Sequence, residues 1–240
     1  MVMGPPTAHD PLSRSTMTGN RLLTLALASV FTSAVAIAPA AAQSSKSDPL
    51  NRAVAAWAKV KTARATFDQT IVNPLTGNTL TSSGEYQQQR PGKLSVKFND
   101  PATDRIVADG KHVWLYLPST TPGQVIRSRL GEGGTGTVDL TAQFLTSPRE
   151  RYDITSLGEK TVAGRATHAY RLVPKSGQEA QFKSAVVYID DKDASVRQFE
   201  VTESSGLQRT VQLTSFRVNV PVDASAFTFT PPAGTRIVDR

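Results

Sequence analysis

The sequence predicts a mainly β domain, in which a large antiparallel sheet of about eleven strands curls on itself beneath two short helices. From Arg64 onward, apolar and polar residues alternate with a period of two, and turn-forming residues interrupt the alternation at short intervals. Only two short stretches repeat apolar residues at helical spacing. A sheet of this size does not stay flat, and two small helices are too few to fill the hollow of the curl, so the sequence favours an apolar cavity.

The N-terminal segment, residues 1–42, has the features of a secretory signal peptide. Two arginines precede a run of small and apolar residues over 22–38, and three alanines precede Gln43. This pattern predicts cleavage near Ala42/Gln43 and export of the mature chain. An uncleaved membrane anchor is the alternative, but polar residues dilute the run, which is short for a membrane span.

The composition of the 240 residues excludes several classes of protein. Without cysteine the chain forms no disulfide and carries no lipid on cysteine, so we expect a soluble domain with a real apolar core. Residues 43–240 show no linker or repeat and are interpreted as one domain, with Met1 or Met17 as the true start. The net charge of +7 fits anionic lipid headgroups or simply a solvated surface. Basic and aromatic residues are not interleaved as in nucleic-acid-binding proteins.

The first helix is predicted to begin at Asp48-Pro49, an N-cap residue followed by proline in the first turn. Apolar residues then recur at helical spacing, at Leu50, Ala53, Val54, Trp57 and Val60. A single amphipathic helix ahead of a β region is expected to lie across a sheet face.

Strands follow in two groups, with turn residues between them. The first group is predicted over 65–71, 79–89, 94–98, 105–108, 112–117 and 124–130. The second group is predicted over 152–157, 166–173, 184–190, 195–203 and 207–218, with a last short strand at 227–230. Short strands that no long helix connects indicate antiparallel pairing.

A glycine-rich segment and a second helix separate the two groups. The segment at 131–136 lacks the Gly-Lys-Ser/Thr ending of a phosphate-binding loop, so we interpret it as a flexible connector. Asp139 can then cap a short helix that carries Leu140, Phe144 and Leu145 and ends before Pro148.

The residues give no sign of catalysis, and we expect neither an enzyme nor a metal or other cofactor. The mature chain has two histidines, His112 and His168, each in a predicted strand and without neighbours at metal-ligand spacing. It has no Gly-x-Ser-x-Gly motif and no cysteine nucleophile. The acidic turn at 190–193 lacks the glycine and the distal glutamate of a calcium loop.

Arg90-Pro91 stands directly before an alternating strand in which Leu94, Val96 and Phe98 share one face. Proline cannot donate to a sheet ladder, so this pair is expected at a strand end. From the residues alone, Arg90 is either a solvated charge at the rim or a polar latch on an apolar interior.

Four motifs in sequence order resemble the LolA family of periplasmic carriers of outer-membrane lipoproteins. They are Phe67-x-Gln69, Arg90-Pro91, Asp109-Gly110 followed by Trp114-x-Tyr116, and the ending Phe227-Thr228-Phe229-Thr230-Pro231-Pro232-x-Gly234. The resemblance runs from about Asp48 to the C-terminus.

This resemblance implies an incomplete β-barrel with helices as a lid over an apolar cavity. It implies that Arg90 bonds main-chain carbonyls of the lid near Trp57, and that Leu94 at the mouth helps to engage the transporter. The lid residues would be Leu50, Val54, Trp57, Leu140, Phe144 and Leu145. The cavity residues would be Phe67, Leu94, Val96, Phe98, Trp114, Tyr116, Phe227 and Phe229, although alternation does not say which sheet face is concave.

The resemblance also implies a function and partners. A carrier of this family is a periplasmic, monomeric chaperone that binds the acyl chains of lipoproteins. It receives them from the inner-membrane ABC transporter LolCDE and passes them to LolB or to the outer membrane itself. The chain stops soon after Gly234, whereas some members continue into an extra loop and strand, which puts in doubt any function of that extension. A carrier of another lipid or glycolipid and an RseB-like envelope-stress sensor are the alternatives.

Overall fold

The computed structural model describes residues 48–131, 139–177 and 182–240. The predicted signal peptide and most of the glycine-rich connector lie outside these ranges. The helices are α1 (Pro49–Ala58), α2 (Leu140–Leu145), α3 (Pro148–Arg151) and a 3-10 helix at Ala224–Phe227. The strands are β1 (Thr62–Val72), β2 (Thr79–Gln89), β3 (Lys93–Asp100), β4 (Arg105–Asp109), β5 (His112–Tyr116), β6 (Gln124–Arg129), β7 (Tyr152–Val162), β8 (Arg165–Pro174), β9 (Phe182–Asp190), β10 (Val196–Glu203), β11 (Gln208–Val218) and β12 (Arg236–Asp239).

In the described ranges, the strands form one large curled sheet that does not close into a barrel. Their order is β12-β6-β5-β4-β3-β2-β1-β11-β10-β9-β8-β7, so β12 and β7 are the two edges. Every neighbouring pair is antiparallel except β12 and β6, which run parallel. The predicted fold class, a curled and incomplete antiparallel barrel with short helices, is confirmed.

The concave face of the sheet carries the apolar core. Opposite residues of neighbouring antiparallel strands share a face, and Leu94 of β3 lies opposite Ala108 of β4. Both are fully buried and belong to one cluster with Leu50 and Trp57 of α1 and Phe144 of α2. Both helices therefore pack on the concave face.

The two helix starts that the sequence predicts are confirmed. The Asp48 side chain accepts a hydrogen bond from the backbone N–H of Leu50, at 3.3 Å. The Asp139 side chain accepts one from the backbone N–H of Ala142, at 3.1 Å. Each carboxylate satisfies a donor that the first turn of a helix leaves unpaired.

Gly84 of β2 allows the Phe67 ring to lie directly over the sheet backbone. A Cβ atom on Gly84 would stand 2.7 Å from Cζ of Phe67 and 2.5 Å from the carbonyl oxygen of Lys97. The absence of a side chain at Gly84 thus fixes where Phe67 packs, and Phe67 in turn meets the Phe98 ring edge-on with centroids 5.6 Å apart.

The structure of the C-terminal segment differs from the short strand that the sequence predicts at 227–230. Residues 228–230 are not a strand, and the residues before them form the 3-10 helix, which contacts β3 and β4. The last strand is β12, which pairs with β6. Phe227 and Phe229 stand two positions apart because both pack against a sheet face. Alternation of apolar and polar residues indicates that one side of a segment is buried, and it does not require the hydrogen bonds of a strand ladder.

Candidate functional site

A cavity of about 340 Å³ lies between the concave sheet face and helix α2. Thr141 and Gln143 contribute from the helix. Apolar side chains from β1, β3, β4, β9, β10 and β11 form most of the wall: Ala65, Phe67, Val96, Phe98, Ile106, Phe182, Phe199, Val201, Val211, Leu213 and Phe216. The remaining lining residues are Gln69, Tyr86, Glu203 and Arg209. The wall can therefore accept a hydrocarbon chain and offers few polar partners.

Three of the predicted cavity residues, Phe67, Val96 and Phe98, line this cavity. Leu94 lies on the same sheet face but is fully buried in the core and does not reach the cavity wall.

The other predicted cavity residues lie on the opposite, outer face of the sheet. Trp114 is opposite Val107 in the β4–β5 pair, whereas the neighbouring pair, Ala108 and Val113, faces the core. The Phe229 ring packs on Trp114 and on Tyr116, with centroids 5.7 Å apart in each pair. The prediction that Trp114, Tyr116, Phe227 and Phe229 line the cavity is therefore corrected.

Phe227 belongs to this outer-face set and is 3% exposed. The C-terminal segment covers the outside of the sheet here, so a second, small apolar cluster exists beside the main core. The sequence signals for the two faces are alike, because both have buried aromatic residues at alternate positions.

The predicted lid residues lie on the two helices that cover the concave face. Leu50 and Trp57 of α1 are buried, and Val54 is half-buried against the same cluster. In α2, Phe144 and Leu145 are buried, and Leu140 begins the helix, with its side chain outside the described part of the structure. The Phe144 ring packs on Phe182 and Phe199 of the cavity wall, with centroids 5.4 and 5.6 Å apart.

Arg90 lies at the end of β2 and reaches the C-terminal end of α1. Its Nη1 donates to the carbonyl oxygens of Trp57 and Val60, at 3.0 and 3.4 Å. Its guanidinium carbon stands 4.1 Å from the centre of the Trp57 ring, in cation–π geometry. Burial lowers the pKa of Arg90, while Asp139 and Tyr86 act in the opposite direction.

Asp139, which sequence reasoning identified only as a helix cap, also connects α2 to the sheet. It is fully buried, and Tyr86 Oη donates to its Oδ1 at 3.1 Å. Gln88 Nε2 donates to its other oxygen. Burial raises the pKa of Asp139, against the lowering effects of the Ala142 N–H and the Tyr86 hydroxyl. In the sequence, the run of polar residues in β2 is the feature that could have indicated these contacts, because alternate residues of the run face inward.

A second set of polar contacts holds the start of α1. The Tyr170 hydroxyl of β8 donates to Asp48, and Nη2 of Arg149 donates to the same carboxylate at 2.9 Å. Arg52 donates to the carbonyl of Asp191 at 2.9 Å. The N-terminal end of α1 is therefore fixed to β8, α3 and the β9–β10 turn, whereas at its C-terminal end Arg90 adds to the burial of Trp57 and Val60.

A pocket on the outer face of the sheet differs from the cavity in its lining. It includes the exposed side chains of Arg64, Thr66, Ser215 and Arg217, and it borders the C-terminal segment at Pro221. Charged and hydroxyl groups of this kind do not favour a hydrocarbon chain. The inner cavity is the better candidate for an apolar ligand.

Within 48–131, 139–177 and 182–240, no helix has the length and apolar character needed to cross a membrane. Over the same ranges, no three His, Asp or Glu side chains are grouped as metal ligands.

Comparison of the sequence with known proteins identifies its family. The profile described as "Outer membrane lipoprotein carrier protein LolA" matches residues 58–230. The outer-membrane lipoprotein carrier protein of Proteus mirabilis is 30% identical over 183 residues, which cover 76% of this chain and 84% of that protein. The protein of the same description from Methylibium petroleiphilum is 28% identical over 211 residues, which cover 87% and 97% of the two chains.

Among solved structures, an uncharacterized conserved protein from Thermus thermophilus superposes with a TM-score of 0.51 and 16% identity. The match covers 82% of this chain and 100% of that chain, and at this identity it supports the fold alone. The family assignment rests on the profile and the sequence relatives. The chain belongs to the LolA family of outer-membrane lipoprotein carrier proteins.

Proposed function

We propose that this protein is a periplasmic chaperone that carries lipoproteins from the inner to the outer membrane with their acyl chains in the inner cavity. The observation that carries the proposal is the apolar wall of the cavity beneath α2, in a chain of the LolA family. Burying hydrocarbon there stabilises the complex by about 0.8 kcal/mol per methylene. No catalytic step is needed, because loading and release are changes of environment for the acyl chains.

The size of the cavity implies that the lid moves when cargo enters. A volume of about 340 Å³ is near the lower end of the range, roughly 300–1,000 Å³, of pockets that each bury one drug-sized molecule. A triacylated lipoprotein brings more hydrocarbon than this, and α2 or α1 has to leave the concave face to admit it.

Arg90 is the proposed latch of this lid. Bonds from a charged donor contribute about 1.5–3 kcal/mol, which equals the burial of about two to four methylenes. The latch therefore weakens cargo binding without preventing it, and it favours release at the acceptor. The donor in this scheme is the LolCDE transporter, and the acceptor is LolB or the outer membrane itself. The carrier acts as a monomer, without nucleotide or nucleic acid.

Mass spectrometry of the protein purified from the periplasm tests the proposal. We expect acylated lipoprotein to co-purify with the wild type. Phe98→Asp, which places a carboxylate in the cavity wall, should remove it, whereas Lys97→Asp on the opposite face of β3 should not. Glycolipid without lipoprotein would instead assign the chain to lipid transport, and cargo that survives Phe98→Asp would exclude this cavity.

A further inference from the structure

Among its described lining residues, the apolar cavity has one charged pair, Arg209 and Glu203. Arg209 Nε and Nη2 donate to Glu203 Oε1 at 3.1 and 2.7 Å, and Nη1 donates to Gln69 Oε1 at 3.1 Å. Gln69 is itself fixed, because its Nε2 donates to Ser82 Oγ at 2.9 Å. The guanidinium is thus held in one orientation beside the cavity.

This pair stands at the opposite end of β1 from the Arg90 latch. Arg209 lies opposite Ile71 near the C-terminal end of β1, whereas the backbone N–H of Arg90 donates to the carbonyl of Lys61, just before β1 begins. Between them the cavity wall is apolar, with Phe67, Leu213 and Phe216. An amphiphile whose chain follows this wall therefore has its polar end beside Arg209 or beside the lid.

Arg209 has the donors for a further bond. A guanidinium has five N–H donors, and in the described part of the chain three of them make the bonds above. About a third of the Arg209 side chain is exposed, 34%, so the side chain is within reach of a ligand in the cavity. A guanidinium next to an apolar wall is costly unless its donors are used, which favours an acceptor from the ligand.

We propose that Arg209, positioned by Glu203 and Gln69, binds the polar end of the acylated ligand through a neutral carbonyl oxygen, such as that of an ester or amide. The proposal rests on the acyl-binding function given above. Glu203 neutralises the guanidinium, so the subsite has hydrogen-bond donors but no net charge. A carboxylate or phosphate would meet the Glu203 carboxylate at close range, and the subsite therefore favours neutral acyl esters over free fatty acids.

Two soluble probes with the same hydrocarbon chain test the assignment: glycerol monolaurate, a neutral ester, and dodecanoate, an anion. Calorimetric titration of the wild type should give tighter binding of the ester. Arg209→Gln removes the charged donor and should weaken ester binding by about tenfold. Glu203→Gln leaves the guanidinium without its counter-charge and should tighten dodecanoate binding by about fivefold. The preference for the ester over dodecanoate should then become smaller or reverse.

Arg217→Gln is the matched control, because Arg217 is an exposed arginine of the same strand that does not line the cavity. It should change neither affinity, and thermal unfolding of each variant shows that it is folded. If the wild type binds both probes and neither variant changes their ratio, the subsite is excluded while the acyl cavity stands. If the wild type binds neither probe, the acyl-binding function fails, and the subsite fails with it.

Discussion

Arg90 illustrates how a charged side chain can be stable against an apolar core. Its partners are the carbonyls of Trp57 and Val60, at and just after the C-terminal end of α1, where the helix dipole places partial negative charge. The Trp57 ring covers the other side of the guanidinium. These contacts offset the cost of removing the charge from water, but only while α1 remains in place.

Arg90→Leu should therefore free the C-terminal end of α1 and improve cargo retention. The loss of about 1.5–3 kcal/mol from the closed state corresponds to a roughly tenfold or larger gain in acyl affinity. Transfer from the purified carrier to acceptor membranes should slow by a similar factor. Arg90→Lys keeps the charge but lacks the planar guanidinium, so its acyl affinity and transfer rate should lie between those of the wild type and of Arg90→Leu. A leucine variant that passes acylated cargo on as fast as the wild type would contradict the latch.

At this scale the sequence predicted some residues of the site and misplaced others. Phe67, Val96 and Phe98 line the cavity as expected, because their strands carry polar residues on the other face. Trp114 and Tyr116 follow the same period but face outward, where Phe229 covers them. Periodicity defines two faces and cannot say which is concave; only the curl of the whole sheet decides that.

The helix α2 is an element whose position depends on one buried carboxylate. Asp139 caps it and accepts from both Tyr86 and Gln88 of β2. The cap was predictable from local sequence, but the sheet contacts join residues more than fifty positions apart and depend on tertiary packing. A helix of six residues is not stable alone, so these bonds and the burial of Phe144 hold it.

The free energy of unfolding should depend on pH because of Asp139, the residue that caps α2. Burial raises the pKa of Asp139 above its ordinary value of 3.8, so the folded protein holds the proton more tightly than the unfolded chain. Its contribution to the free energy of unfolding is present below the ordinary pKa and is lost as pH rises through the raised one. Asp139→Asn keeps an oxygen for the Ala142 N–H but does not titrate. Urea unfolding from about pH 3 to about pH 7 should show wild-type stability falling relative to the variant.

Asp109→Asn is a control for which the pH dependence of stability should have the opposite sign. Burial alone would raise the pKa of Asp109, but N–H groups of Trp114, His112 and Lys111 outweigh it and lower the pKa. Relative to that variant, the wild type should gain stability as pH rises through the ordinary pKa range. A stability difference between wild type and Asp139→Asn that is flat with pH would show that Asp139 titrates normally.

On the scale of the whole molecule, the two faces of the sheet have separate roles. The concave face carries the core, helices α1 and α2 and the cavity, and the outer face is covered in part by the C-terminal segment through Phe227 and Phe229. The curled sheet was predictable from strand number and turn spacing. The path of the C-terminal segment was not, because the parallel pairing of β12 with β6 has no local signature.

This separation predicts different effects for two phenylalanine truncations. Phe227→Ala should lower the free energy of unfolding by about 3 kcal/mol, since the side chain is buried, and should leave the affinity for glycerol monolaurate unchanged. Phe98→Ala removes part of the cavity wall and should weaken that affinity. Urea unfolding and calorimetric titration of both variants measure the two quantities. Equal losses of affinity would mean that the outer cluster and the cavity are coupled.

The unclosed sheet is free of a limit that a closed barrel has. In a closed barrel, strand number and stagger fix the diameter, so the interior has one capacity. Among the described strands, β7 and β12 are the edges and do not pair with each other, so no ladder between them holds the curl at one radius. The volume available to a ligand is then governed by bending stiffness and by the helices. A container of this kind can adapt its size to chains of different number and length while its strand pairing stays the same.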